Sequence, residues 1–229
     1  MLPVAYFHSP FTSKFGLPRQ SGILKDVEGE VVFCPPYDNP DAIRGIEGFD
    51  YVWLLWEFSA NKKADAEGGT NAEAQVSLTV RPPRLGGNKR IGVFASRSPF
   101  RPNNIGLSCV RLKEVRDGKL IVMGADLMDG TPIYDVKPYV AYADAHPEAR
   151  SGFTDTTEWQ TLQVRFPQHL RQGFTTSEVS AIVSALQQDP RPHYHHDPTR
   201  VYGMPFAGRD IRFRVIDGTA EIIDVSLTV

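Results

Sequence analysis

Eight cationic residues, Arg81, Arg84, Lys89, Arg90, Arg97, Arg101, Arg111 and Lys113, follow one another with no Asp or Glu between them. Pro82, Pro83, Gly86, Gly87, Pro99 and Pro102 punctuate the same stretch, so the charges sit on stiff loops. Guanidinium groups bind phosphate or carboxylate through two parallel N–H bonds, and ammonium groups bind them as point charges. The stretch implies an anionic partner, even though the whole chain has a formal charge of only −2. Phe100, Asn103 and Asn104 add side chains that stack on or hydrogen-bond an unpaired base, which makes RNA one such partner. Phe94 lies in a β-rich run over 91–95, which assigns its ring to a core strand rather than to a ligand.

Two carboxylates come after another β-rich run. Asp129-Gly130-Thr131-Pro132 is a turn sequence and accounts for Asp129, whereas Asp126 is left as a candidate to accept from a ligand hydroxyl or ammonium group. Asp135 and Lys137 share a strand face and are expected to pair with one another. In Asp189-Pro190-Arg191-Pro192 the two prolines stop the preceding helix and stiffen the chain beyond it. Read functionally, the segment projects Arg191 and Tyr194 toward the neighbouring unit or another subunit. His193, His195 and His196 cluster without the acidic or His partners of a ligand set, and Cys34 and Cys109 lie far apart, so no metal site or disulfide framework is expected. His146 and His169 stand alone and need no special role.

These residues must be carried on β structure. Runs at 4–8, 29–34, 51–58, 76–81, 91–95, 108–115 and 120–127 are rich in β-branched and aromatic residues, a pattern that favours a barrel or a sandwich. Asp117-Gly118 predicts a tight hairpin between the last two runs. Asn39-Pro40 predicts a capped helical turn over 41–45. Residues 61–71 have the composition of a surface loop, a tolerated insertion or a lid. Val179, Ile182, Val183 and Leu186 recur at helical spacing and predict a helix over 177–188, capped by Thr176 or Ser177. Alternation at Ile211, Phe213 and Val215, an Asp217-Gly218 turn and a run over 222–227 predict a terminal hairpin.

With 229 residues and 41% hydrophobic content, the chain can bury one good core and a small second one. Periodicity is lost over 141–158, which places a domain boundary there and divides the chain into 1–145 and 146–229. The densest apolar run, 51–56, is too short to span a bilayer, and unpaired cysteines suit a reducing compartment, so a soluble cytoplasmic protein is expected. No Gly-x-Gly-x-x-Gly follows a strand and opens a helix, which argues against a Rossmann-type cofactor site.

The segments 15–20, Arg44-Gly45, 81–103, 129–139 and 189–192, taken together and in this order, resemble the TsaA/TrmO-like family of tRNA methyltransferases. The resemblance implies an N-terminal antiparallel β-barrel with a small C-terminal α+β domain. It also implies S-adenosylmethionine as cofactor, transfer of its methyl group to N6 of threonylcarbamoyl-adenosine at position 37 of tRNA, contact with the anticodon region, and a homodimer. Gln20, Ser21, Gly22, Phe58, Ser59, Arg97, Leu107, Met123, Gly124, Ala125 and Asp126 match the segments that line the family's cofactor pocket. Arg97 is the candidate to hold the cofactor carboxylate. Asp189, Arg191 and Tyr194 are the candidate catalytic group, and Arg81, Arg84, Lys89, Arg90 and Arg101 the candidate RNA contacts. Arg84 or Arg191 would clamp the carboxylate of the modified adenosine. Two other readings stay open at this point: a small-molecule methyltransferase, for which the basic stretch is incidental, and a noncatalytic RNA-binding module, which needs no pocket.

Overall fold

The computed structural model describes residues 1–61, 78–157, 160–192, 195 and 197–228. Strands β1 (Ala5–His8), β2 (Glu28–Phe33), β3 (Tyr51–Glu57), β6 (Ile105–Arg116), β7 (Lys119–Met123) and β8 (Thr131–Pro138) close into a barrel in the order β1-β2-β7-β6-β3-β8. Neighbouring strands run antiparallel all the way round. Period-two alternation decides which side chains fill it. On β3 Val52, Leu54 and Trp56 point inward, and on β6 Gly106, Ser108, Val110 and Leu112 do so. Two short strands, β4 (Thr79–Val80) and β5 (Ile91–Gly92), pair with each other beside the barrel.

The C-terminal part is a sheet in the order β10-β11-β12-β9, from β9 (Gln163–Arg165), β10 (Tyr202–Phe206), β11 (Arg209–Ile216) and β12 (Thr219–Leu227). Only β9 runs parallel to its neighbour, β12. Helix α2 (Thr176–Gln187) follows the four-residue α1 (Ala141–Asp144) in the chain and buries Ala181, Ile182, Ala185 and Leu186 against this sheet. Its cap is one residue earlier than expected: the Thr175 hydroxyl accepts from the Glu178 amide, and the Glu178 carboxylate accepts from the Thr175 amide, a reciprocal capping box that the spacing Thr-x-x-Glu encodes.

Left-handed backbone marks the tight turns. Asp117-Gly118 (φ 51° and 73°) and Asp217-Gly218 (φ 45° and 74°) form the two expected hairpins, and Ala207-Gly208 (φ 48° and 73°) forms a third that the sequence did not advertise, because Ala is a poor left-handed residue. Asn39 caps the 3-10 turn Pro40–Ile43 by accepting from the Asp41 amide. Two expected strands are shorter. The run over 120–127 stops at Met123 because Gly124, at φ 77°, turns the chain. The run over 91–95 ends at Gly92, and a 3-10 turn Val93–Ala95 buries Val93 while leaving Phe94 78% exposed, so Phe94 is a surface ring and not a core one. Asp135 and Lys137 pair at 2.8 Å, as expected. Residues 62–71 of the loop read as an insertion or lid lie outside the described residues.

Two hydrophobic clusters result, one inside the barrel and one between α2 and the C-terminal sheet. Residues 9–27, between β1 and β2, cross from the first to the second: Phe11, Leu24 and Val27 are buried in the C-terminal cluster. Backbone and side-chain bonds hold this crossing in place, from the Ala207 amide to the Pro10 carbonyl at 2.8 Å and from Ser177 Oγ to the Asp26 carbonyl at 3.1 Å.

Candidate active site

The chain leaves β7 at Gly124 and presents Asp126 at one end of the barrel. Gly124 donates its amide to the Val27 carbonyl at 2.9 Å and accepts from the Gly22 amide at 2.8 Å, so two glycine backbones lie against each other. Gly22 and Gly124 both have positive φ, and a Cβ on Gly124 would sit 3.5 Å from Gly22 Cα and N. A contact of that length is ordinary, so it is the left-handed backbone at both positions that favours glycine here.

Asp126 is enclosed by hydrogen bonds. Ser108 Oγ donates to its Oδ1 at 2.5 Å, the Ser21 amide donates to the same carboxylate, and Trp56 Nε1 donates to Ser108 Oγ at 2.9 Å. Burial pushes the Asp126 pKa up; the bonds from Ser108 and Ser21 and the charge of Arg97 pull against it. Arg97 itself donates from Nη1 to Gln20 Oε1 at 2.7 Å. Thus Gln20, Ser21, Gly22, Arg97, Gly124 and Asp126, named from the sequence, converge on one place. Phe58 joins them through Trp56, its ring 4.3 Å away at 60°. Ser59 opens the 3-10 turn that follows β3, Met123 closes β7, and Ala125 packs inward against the barrel core.

Leu107 departs from this set. It neighbours Ser108 on β6, so its side chain points to the opposite, outer face, where it is 57% exposed. There it borders a small hollow of ≈ 90 Å³ with Trp53, Leu55, Asp135 and Lys137. Asp129 sits in the turn expected of it, closed by the Thr131 amide on the Met128 carbonyl at 3.2 Å, and its carboxylate also accepts from the Ser9 amide at 3.1 Å and lies 3.2 Å from His8 Nδ1.

Sequence reasoning missed Ser108 and Trp56. The signal was parity: Ser108 is the polar residue among the inward positions Gly106, Ser108, Val110 and Leu112. The Trp56 indole lies across Gly106, where a Cβ would come within 2.3 Å of Trp56 Cε2. Gly106→Ala is therefore expected to displace the indole, lower stability by about 1–3 kcal/mol and break the Trp56–Ser108–Asp126 chain. Chemical denaturation followed by tryptophan fluorescence checks this; a wild-type midpoint and emission maximum would contradict it.

The basic stretch divides in two. Arg81, Lys89 and Arg90 are exposed. Arg84 instead donates to the carbonyls of Thr157 at 2.8 Å and Thr154 at 3.1 Å, and Arg101 to those of Ser96 at 2.6 Å and Val93 at 3.3 Å, so both hold loops. Phe94 and Phe100, 78% and 69% exposed, stand beside these cations. Arg191 does not project as expected. Its Nε and Nη2 grip the Asp189 carboxylate at 2.8 and 2.9 Å, and its side chain is only 15% exposed. The acid two residues away holds the guanidinium with both carboxylate oxygens. Tyr194, His193 and His196 lie outside the described residues, and among the described residues no group of three or more His, Cys, Asp or Glu could hold a metal ion. No described helix is long and apolar enough to cross a membrane.

A closed antiparallel barrel with a half-buried carboxylate beside a glycine-lined loop, in a chain that also carries exposed cations and aromatic rings, defines a β-barrel protein with a candidate ligand site. Residues 6–145 match the tRNA-methyltransferase O N-terminal domain, and residues 159–228 match the TrmO C-terminal domain. An Escherichia coli protein named "tRNA (adenine(37)-N6)-methyltransferase" is 38% identical over 96% of this chain and 94% of its own length. A Pseudomonas aeruginosa protein named "Putative S-adenosylmethionine-dependent methyltransferase RcsF" is 39% identical over 92% of this chain and 90% of its own. The crystal structure of TrmO from Pseudomonas aeruginosa superimposes with a TM-score of 0.76 at 31% identity, covering 98% of this chain and 96% of that one. The chain belongs to the tRNA-methyltransferase O family.

Proposed function

We propose that this protein is an S-adenosylmethionine-dependent tRNA methyltransferase that methylates N6 of threonylcarbamoyl-adenosine at position 37. The observation that carries the reading is the convergence of Arg97, Gln20, Ser21, Gly22, Gly124 and Asp126 at one end of the barrel, in a chain whose relatives are named for adenine-37 methylation and for S-adenosylmethionine. The residues suit that cofactor. Paired glycine backbones leave room beside a carboxylate able to accept from ribose hydroxyls or an ammonium group, and Arg97 keeps guanidinium N–H groups beyond the one on Gln20 for a carboxylate. S-adenosylmethionine supplies an electrophilic methyl group on a sulfonium.

The chain's own residues supply binding and orientation. Asp126, fixed by Ser108 and the Ser21 amide, cannot swing, so a bound ligand meets a preset acceptor at no further ordering cost. Proximity and alignment of this kind are worth roughly 7–11 kcal/mol in well-oriented reactions. On the substrate side, Arg81, Lys89 and Arg90 bind phosphates of the anticodon region, while Phe94 and Phe100 offer exposed faces for unpaired bases. Arg84 and Arg191 are spent on intramolecular acceptors, which moves the clamp on the substrate carboxylate to the exposed cations. Asp189 and Arg191 then serve catalysis by holding shape, and the protein works as a cytoplasmic homodimer of two-domain subunits divided near residue 145.

Calorimetric titration with S-adenosylmethionine and with tRNA, each at rising salt, tests this reading. Cofactor should bind in a nearly salt-independent manner, whereas tRNA affinity should fall steeply, because each neutralised phosphate releases counterions. Tight tRNA binding without cofactor binding would make the protein an RNA-binding module. Cofactor binding with salt-insensitive or absent tRNA binding would make it a small-molecule methyltransferase.

A further inference from the structure

We propose that Asp189, which lies outside the candidate cofactor site on the C-terminal unit, is a positioning residue for it: through Arg19 it fixes residues 19–22 against Asp126 and Gly124, and so sets cofactor affinity. The inference rests on the assignment of that site to S-adenosylmethionine.

Residues 15–22 form a bridge with two sets of anchors. The first set is on the C-terminal unit. Phe15 stacks on Tyr202 with ring centroids 6.3 Å apart and planes within 7°, and Gly16 packs so closely on Met204 that a Cβ would fall 2.3 Å from its sulfur. Arg19 Nη2 then donates to the Asp189 carbonyl at 3.3 Å. The second set is at the candidate cofactor site. Gln20 accepts from Arg97, the Ser21 amide donates to Asp126, and the Gly22 amide donates to the Gly124 carbonyl. Arg19 and Gln20 are consecutive, so no slack separates the last anchor on one unit from the first on the other.

The Asp189 segment is built to hold that carbonyl still. Helix α2 ends as the Gln188 and Asp189 amides bond back to Ala185 and Leu186, each at 3.1 Å. Asp189 then turns the chain with left-handed backbone at φ 46°, a conformation that Asp tolerates better than most side chains. Its carboxylate takes both prongs of Arg191 and also the Arg191 amide at 3.3 Å, while Pro190 and Pro192 remove the remaining freedom. Self-closure of this kind explains why an Arg within the segment is turned inward: it locks the turn whose carbonyl Arg19 uses. The Asp189 charge also acts on Arg19 directly, opposing the desolvation that lowers the Arg19 pKa.

Hydrogen exchange of the Ser21 and Gly22 amides, read without cofactor, tests the contact, and calorimetry with S-adenosylmethionine tests its consequence. Arg19→Ala and Asp189→Ala should each speed exchange at both amides and weaken cofactor binding about tenfold, the scale of one charge-assisted hydrogen bond. The double variant should match either single variant rather than multiply them, because Arg19→Ala removes, and Asp189→Ala loosens, one and the same connection. Both variants keep the main-chain carbonyl that Arg19 uses, but Asp189→Asn keeps a side-chain oxygen for Arg191 and tolerates the left-handed turn, so it should retain more affinity than Asp189→Ala. As a control, Arg209→Ala removes a guanidinium held by the Gln172 and Gly173 carbonyls over the Phe174 ring, away from the bridge. It should lower the melting temperature while leaving exchange at Ser21 and Gly22 and cofactor affinity unchanged. Wild-type exchange in both bridge variants would overturn the proposal, and so would faster exchange with wild-type affinity or full additivity in the double variant. If the unmodified protein bound no S-adenosylmethionine, the assignment of the site would fall, and with it the consequence for affinity, whereas exchange would still decide whether Asp189 holds the loop.

Discussion

Asp126→Asn is expected to weaken S-adenosylmethionine binding by about 10- to 100-fold, the cost of losing a hydrogen bond to a charged group, and at the same time to make the folded protein more stable at neutral pH. The two effects share one cause. Asp126 is held among Ser108, the Ser21 amide and the barrel end, where burial disfavours its charge and raises its pKa above the unfolded value. For a group shifted in this direction, the associated stability is fully present below the unfolded pKa and is lost as pH rises through the folded pKa. Asn does not titrate, yet it still offers an oxygen to Ser108 and Ser21. Thermal melts of the two proteins should therefore coincide in acid and separate above the carboxylate range, the Asn variant melting higher. Equal melting at neutral pH together with unchanged cofactor affinity would show Asp126 to be an ordinary half-buried polar residue. A stabilising change that costs binding is the pattern expected where a site is kept strained for function.

Arg97→Ala should reduce cofactor affinity by at least about tenfold, again the scale of a charge-assisted bond, and should weaken tRNA binding less. Arg97 is exposed and spends one nitrogen on Gln20, so its loss removes little packing and is not expected to shift the melting temperature appreciably. Arg97→Lys should recover only part of the affinity, since an ammonium group cannot give two parallel bonds to a carboxylate. Calorimetry on the three proteins with S-adenosylmethionine and with tRNA gives the ordering. A larger loss for tRNA than for cofactor would move Arg97 to the RNA face. A fall in stability comparable to that of Gly106→Ala would instead make it a structural tie.

Much of the barrel could be read from runs rich in β-branched and aromatic residues, whereas the inward faces, Val52, Leu54 and Trp56 on β3 and Gly106, Ser108, Val110 and Leu112 on β6, emerge only with the fold. The turns at Asp117-Gly118 and Asp217-Gly218 were legible because few residue pairs accept consecutive positive φ. Ala207-Gly208 was not, since Ala carries no such signature and the turn is imposed by its flanking strands. Phe94 was misplaced because a β-rich run of two residues followed by a 3-10 turn has the composition of a longer strand. Site residues that matched family segments were mostly found together, Leu107 on the outer face being the exception, but their partners were not. Trp56 and Ser108 are core positions by pattern, and only the fold shows that a hydrogen-bond chain connects them to Asp126. The direction of Arg191 was likewise invisible, because choosing between a distant anion and an acid two residues away depends on the left-handed turn at Asp189.

Radiolabelled methyl transfer from S-adenosylmethionine to tRNA, with position 37 either carrying or lacking the threonylcarbamoyl group, tests the central claim most directly. The account predicts label on the N6-modified adenosine of the first tRNA, little on the second, and a rate that collapses in Asp126→Asn and falls in Arg97→Ala. Equal labelling of both tRNAs would contradict the proposed substrate, and no labelling of either by the intact protein would contradict the proposed reaction.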